Sequence, residues 1–142
     1  MSAVAQDPAW APRRHFRLPH DDEAFLDGSG WRWETVADAS VRRLIIYGFP
    51  VPLGYGREVV DLYLRIDGGY PDALIDMVYV APAFAKVTGG AIGALSMEPF
   101  DGRTWQRWSR HRTAANPWRP GLDNVQTHLA LATEWFAREV RQ

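Results

Sequence analysis

VVDLYLRIDGGYPDALIDMVYVAP, residues 59–82, is the stretch on which the fold class turns. Val60, Leu62, Leu64 and Ile66 alternate with Asp61, Tyr63 and Arg65, the period of two expected of a strand with one buried face. Gly68-Gly69-Tyr70-Pro71 breaks that run as a turn, and Met77 to Val80 reads as a further short strand stopped by Ala81-Pro82. Toward the N-terminus, VRRLIIYGF at 41–49 is rich in β-branched and aromatic residues and is closed by Pro50 and Pro52. Before it, Trp31, Trp33 and Thr35 alternate with Arg32 and Glu34, which makes a strand of that segment too. Toward the C-terminus, TGGAIGALSMEP at 88–99 follows neither period and reads as a loop. Beyond it, Val125, Leu129, Ala132, Trp135, Phe136 and Val140 recur at helical spacing behind Asp123, a candidate cap. The expectation is an α+β fold: a four-stranded antiparallel meander with helices packed on one side and a C-terminal helix.

Residues 1–20 carry Pro8, Pro12 and Pro19 with scattered charge and read as an extended arm, leaving 21–142 as one domain. A short helical turn through Asp22, Glu23, Phe25 and Leu26, stopped at Gly28, opens that domain. At 142 residues and 46% hydrophobic, the chain can bury one core of useful size. A net charge of −1 and a pI of about 6.4 argue against a general nucleic-acid binder. No apolar run reaches membrane-spanning length and the N-terminus lacks a signal-like apolar stretch, so a cytoplasmic protein is expected. With no cysteine, disulfides, thiolate nucleophiles and thiolate metal sites are excluded. Fifteen arginines accompany the single Lys86, a bias that fits either an arginine-rich codon usage or avoidance of amines that would accept acyl groups.

Against that near-neutral background, GRTWQRWSRHRTAANPWRPG at 102–121 holds five arginines, one histidine and three tryptophans without a carboxylate. Cations crowded in this way repel unless they splay into solvent or face an acidic partner, while the indoles need a core or an interface. Ser109-Arg110-His111 adds a hydroxyl, a fixed cation and a titratable imidazole in one place.

The quoted pattern, with GFPVPLGY at 48–55, GYPDALIDMVYVAP at 69–82, WQRWSRH at 105–111 and WRPGLDNVQTHL at 118–129, resembles the prokaryotic family E of the ubiquitin-conjugating-enzyme superfamily. The resemblance covers most of residues 21–140. It implies a bacterial ubiquitin-like conjugation pathway whose other members are a ubiquitin-like protein, an adenylating activating enzyme and an associated peptidase. It further implies that the segment after Phe100-Asp101-Gly102 stands where cysteine-bearing members keep their acyl carrier. This chain has neither that cysteine nor the usual His-Pro-Asn before it. Thioester transfer is thereby excluded, leaving an oxygen nucleophile or a non-catalytic scaffold.

On the resemblance and the residue types together, Ser109, Arg110 and His111 are the catalytic candidates. Ser109 needs a base within hydrogen-bond reach, for which His111 and His128 are available; its alternative is a loop serine satisfying nearby backbone. Thr104 is a second oxygen candidate. Arg110 suits a tail carboxylate or a developing oxyanion, and equally a salt bridge tying the loop to Asp101, Asp123 or Glu134. Arg103, Trp105, Arg107, Trp108, Arg112 and His128 are expected to form a partner-binding rim, with His128 alternatively a buried structural hydrogen bond. Trp118, Pro120, Tyr70 and Pro71 read as structural, Trp118 packing as a core group. Asp72 and Asp76 flank the proline turn and can either act as bases or bond their own backbone. No metal site is expected, since no histidine pair has ligand spacing, and no cofactor: the glycine-rich 88–99 segment lacks the lysine and hydroxyl of a phosphate loop. A Ser/His hydrolase is the reading from a different class.

Overall fold

The computed structural model describes residues 9–142, so the first eight residues of the arm lie outside the described residues. The elements run α1 (His20–Ser29), β1 (Arg32–Asp38), β2 (Val41–Pro50), β3 (Val59–Arg65), β4 (Val78–Ala81), β5 (Leu95–Phe100), β6 (Arg103–Trp108) and α2 (Val125–Val140). The α+β class holds, but the sheet has six antiparallel strands in the order β1-β2-β3-β4-β6-β5, not four. The first four do form a meander. A β5–β6 hairpin, where the sequence reads as irregular chain, extends it, with β6 pairing to β4.

Neither strand of the hairpin shows a one-sided apolar stripe, so its sequence carries no strand period. β5, LSMEPF, is an edge strand of mixed exposure, where Pro99 is tolerated. In β6 the tryptophans are three apart and therefore point to opposite faces: Trp105 joins one core and Trp108 the other. The local signal lay in the turn. Asp101 and Gly102 have φ of 55° and 73°, the positive pair that a tight two-residue hairpin loop demands and that Asp-Gly supplies most readily.

Two cores lie on the two faces of the sheet. Leu44, Ile46, Leu62, Leu64, Val80 and Trp108 pack beneath the helices, where Leu26, Leu129, Ala132 and Phe136 close over them. Both helices thus sit on one side and touch each other. At about 1.5–3 kcal/mol for each large side chain withdrawn from water, this layer is the main source of stability. On the other face, Val36, Ile45, Tyr63, Tyr79, Phe100 and Trp105 form a smaller aromatic cluster, with the Tyr63 and Tyr79 rings stacked 4.3 Å apart. Glu98 on β5 pairs with Arg65 on β3 and lies 3.7 Å from Arg43 on β2, three and four strands away in the sheet order. The sheet must therefore curl to bring its β5 edge over this second core. Arg43, 4.0 Å above the Phe100 ring, roofs it.

The described part of the arm runs along the outer strand, and ordered contacts begin ahead of Asp21. Arg14 bridges to Thr35, and Leu18 is buried. Arg13 donates to Glu34, which also accepts from the Tyr47 hydroxyl at 2.7 Å. Burial alone would raise the Glu34 carboxyl, but the bonds from Arg13 and Tyr47 bring it down to about 2. α1 is longer than one turn; Gly30, not Gly28, ends it, with φ of 84°. α2 is capped by Asn124 rather than Asp123: the Asn124 side chain accepts from the Thr127 N–H while the Thr127 hydroxyl accepts from the Asn124 N–H. Asp123 is buried, accepting from the Arg119 N–H at 2.8 Å.

Candidate functional site

Where β6 ends, the backbone is pinned from both sides. The Ser109 N–H donates to the Ala94 carbonyl at 3.1 Å, and the Arg110 carbonyl accepts from the Met77 N–H at 3.1 Å. Trp108, fully buried, anchors the strand end against Phe136 (4.9 Å between ring centroids) and donates its indole N–H to Gln106. These contacts deliver Arg110 and His111 to a cleft of about 570 Å³, whose walls include Gly93, Ala94, Trp135 and Glu139.

Inside the cleft Arg110 donates to the Gly93 carbonyl at 3.0 Å and lies 3.4 Å from Glu139, with its guanidinium 4.8 Å from the Trp108 ring. The salt-bridge alternative for Arg110 is thus realised with Glu139, not with Asp101, Asp123 or Glu134. The other Glu139 oxygen is 3.3 Å from the amine of Lys86, which is itself buried. His111 pairs through Nδ1 with Asp76 at 2.7 Å. Asp76 keeps one oxygen buried without a hydrogen-bond partner, so its hydrogen bonding is directed at His111.

Ser109 is half-buried, and among the described residues no hydrogen bond joins its hydroxyl to His111 or His128. His128 is fully buried on α2 and both its nitrogens are engaged: Nε2 donates to the Met77 carbonyl at 2.9 Å, which leaves Nδ1 to accept from Arg112 at 3.3 Å. Burial, aided by the Arg112 charge, pushes this imidazole down to about 4. It is the structural alternative of the two foreseen for His128.

The expected rim does not form as one surface. Arg112 has a side chain only 6% exposed, lies 3.6 Å from Asp123 and stacks 4.8 Å from the Trp118 ring. Burial holds its pKa below the ordinary value. Arg103 is on the opposite side of the sheet from Trp108, bonded to Asp61 at 2.6 Å and 5.0 Å over Trp105. Trp105 is buried and donates its indole N–H to the Phe100 carbonyl. Arg107 is half-buried, with its Nε buried and without a partner. Both β6 indoles are therefore packing groups; alternation along the strand decides this, and sequence proximity misled.

Trp118 is half-buried rather than a core residue. Its indole N–H donates to the Pro71 carbonyl at 3.0 Å and its ring lies 6.1 Å from Tyr70. Tyr70 in turn donates to Asp22 at 2.7 Å and accepts from the Val125 N–H at 3.0 Å, joining the proline turn to both helices. Desolvation raises the Asp22 carboxyl, and burial beside Asp22 raises the Tyr70 phenol. Pro120 is exposed in the loop before α2. Asp72 is exposed.

Asp76 and Lys86 stand behind the cleft, bound to His111 and Glu139, while Glu139 lines it; no sequence signal places the three together there. They come from the loop before β4, the loop after it and the last turn of α2, so no local spacing could have gathered them. Among the described residues no group of three histidines or carboxylates could hold a metal ion, and no helix is long and apolar enough to cross a membrane.

No curated protein and no solved structure gives a significant match to the chain. A family model does: prokaryotic E2 family E matches residues 18–139, from buried Leu18 to cleft-lining Glu139. With nearly its whole length matched, the chain belongs to this prokaryotic E2 family, and its fold is an E2-like α+β sheet carrying a C-terminal helix.

Proposed function

We propose that the protein is the ubiquitin-conjugating-enzyme-like component of a bacterial ubiquitin-like conjugation pathway, and that the cleft at the end of β6 receives the C-terminal tail of the ubiquitin-like protein. The adenylating activating enzyme is its second partner and an associated peptidase a third, all within the cytoplasm. One observation carries the reading. Arg110 and His111, from the segment standing where cysteine-bearing relatives keep their acyl carrier, line one cleft, Arg110 with a side chain only 20% exposed and His111 at its open side. Among the described residues Glu139, at 3.4 Å, is the carboxylate that offsets Arg110, a long contact that an incoming tail carboxylate or carbonyl can replace.

Ser109 is the weaker carrier of chemistry. A serine hydroxyl needs a base in hydrogen-bond reach, and neither histidine is bonded to it; this favours tail binding over oxyester transfer and over a Ser/His hydrolase. A non-catalytic scaffold is the second reading, supported by the ion pair that already engages Arg110.

Titration of the purified protein with candidate ubiquitin-like proteins and an activating enzyme tests the proposal. Arg110→Ala is expected to weaken binding by about 2 kcal/mol, roughly thirtyfold, while melting close to the wild type. Failure to bind either a ubiquitin-like protein or an activating enzyme would refute it. Binding with only unmodified mass after incubation with activating enzyme and ATP selects the scaffold.

A further inference from the structure

Resting on that reading of the cleft, we propose that His111 is the acyl carrier of this cysteine-free chain, and that Asp76 is its positioning residue. Nε2 of His111 takes the C-terminal acyl group of the ubiquitin-like protein as an acyl-imidazole. The geometry decides the tautomer. A carboxylate oxygen can only accept, so the 2.7 Å contact from Asp76 places the imidazole proton on Nδ1 and leaves the lone pair on Nε2. Among the described residues nothing bonds Nε2, and the side chain is 61% exposed while facing the same cleft as Arg110.

The other nucleophiles are less available. The Ser109 hydroxyl has no bonded base, and His128 is buried with both nitrogens engaged. The only lysine, Lys86, is buried against Glu139 and so withheld from an acyl group held nearby. At this cleft the imidazole oriented by the Asp76 carboxylate is the group placed to form a covalent intermediate without a thiol.

The step balances without an oxidant or reductant. The Nε2 lone pair attacks the carbonyl carbon of the tail, presented as the acyl-adenylate made by the activating enzyme. A C–N bond forms, the carboxyl–phosphate C–O bond breaks, and AMP leaves. The resulting acyl-imidazolium keeps its Nδ1 proton in the bond to Asp76, whose negative charge offsets it. An amine of the target then attacks the same carbon; the amide forms, the acyl–Nε2 bond breaks, neutral imidazole is regenerated, and the amine proton passes to water.

Two measurements test it. The first uses p-nitrophenyl acetate with rapid quenching and peptide mapping, exposed His20 serving as the reference within the same molecule. His111 should acylate at least about tenfold faster than His20, and Asp76→Asn should slow His111 without slowing His20. The second incubates full-length protein with activating enzyme, ubiquitin-like protein and ATP. The expected product is a single adduct that survives thiol reductant, discharges to hydroxylamine, persists in Ser109→Ala and vanishes in His111→Gln. Acylation of His111 at the reference rate, an adduct retained in His111→Gln, or one lost in Ser109→Ala would each overturn the proposal. Partner binding without any adduct overturns it while leaving the tail site standing; loss of binding itself overturns the reading of the cleft, and the ester rates still report on the imidazole alone.

Discussion

Acidification below neutrality should destabilise this protein, and buried His128 is the cause. Its imidazole sits fully buried among the Met77 carbonyl, Arg112 and the Trp135 ring, and its pKa falls from 6.5 to about 4: desolvation, helped by the Arg112 charge, outweighs the hydrogen bond to Met77 and the smaller attractions of Asp76 and Asp123. Because the folded value lies below the unfolded one, the unfolded chain binds the proton first. The stabilisation is complete above 6.5 and drains away as pH falls toward 4. At about 1.4 kcal/mol per pH unit, the whole effect is about 3 kcal/mol, with about 2 kcal/mol already lost near pH 5. Urea unfolding of wild type and His128→Gln near pH 7.5 and near pH 5 measures it. The glutamine amide can keep a donor toward Met77 but does not titrate. The variant should start less stable and show no loss from this site, so the gap between the two proteins narrows by about 2 kcal/mol on acidification. Glu23, Glu34, Asp101 and Asp123 are held below their ordinary values and Asp22 is raised by burial, but both proteins carry these groups, so their contributions cancel in the gap. A gap that is the same at both pH values would refute the claim that burial holds His128 neutral.

Gly54 has φ of 115°, and a Cβ there would meet Val140 Cγ1 at 2.5 Å, so Gly54→Ala should lower stability by about 2 kcal/mol or more in thermal or urea unfolding. Adding Val140→Ala should return only the contact part, because the dihedral strain remains. Trp118→Ala should cost roughly 1–2 kcal/mol, since a half-buried ring and one hydrogen bond are lost, against about 3–5 kcal/mol for Trp108→Ala in the main core; calorimetry on the two variants ranks them. Arg13→Ala should remove about 2 kcal/mol near neutral pH by leaving Glu34 buried without its cation. That loss should shrink between about pH 4.5 and 2, as the Glu34 carboxyl protonates, which a pH series of melting curves would show.

The strands whose apolar residues share one face were readable from the chain. VVDLYLRI at 59–66 buries Val60, Leu62, Leu64 and Ile66 in the helix-side core as its alternation requires, and Val125, Leu129, Ala132 and Phe136 of α2 reach the same core through their helical period. Such periods are local properties, set by backbone geometry before any long-range contact forms. The absence of a thiol was equally fixed by composition. Tertiary structure alone decided the rest. It sent Trp105 and Trp108 to different cores, and it added the β5–β6 hairpin, whose turn was readable but whose pairing with β4 was not. It also moved the cap of α2 by one residue, because that choice depends on which side chain meets the free N–H groups and which is drawn off by Arg112 and Arg119. The cleft is the clearest case. His111 meets Asp76 across 35 positions and Arg110 meets Glu139 across 29. No periodicity links residues so far apart: pairing β6 beside β4 brings His111 to Asp76, and closing α2 over the sheet brings Glu139 to Arg110.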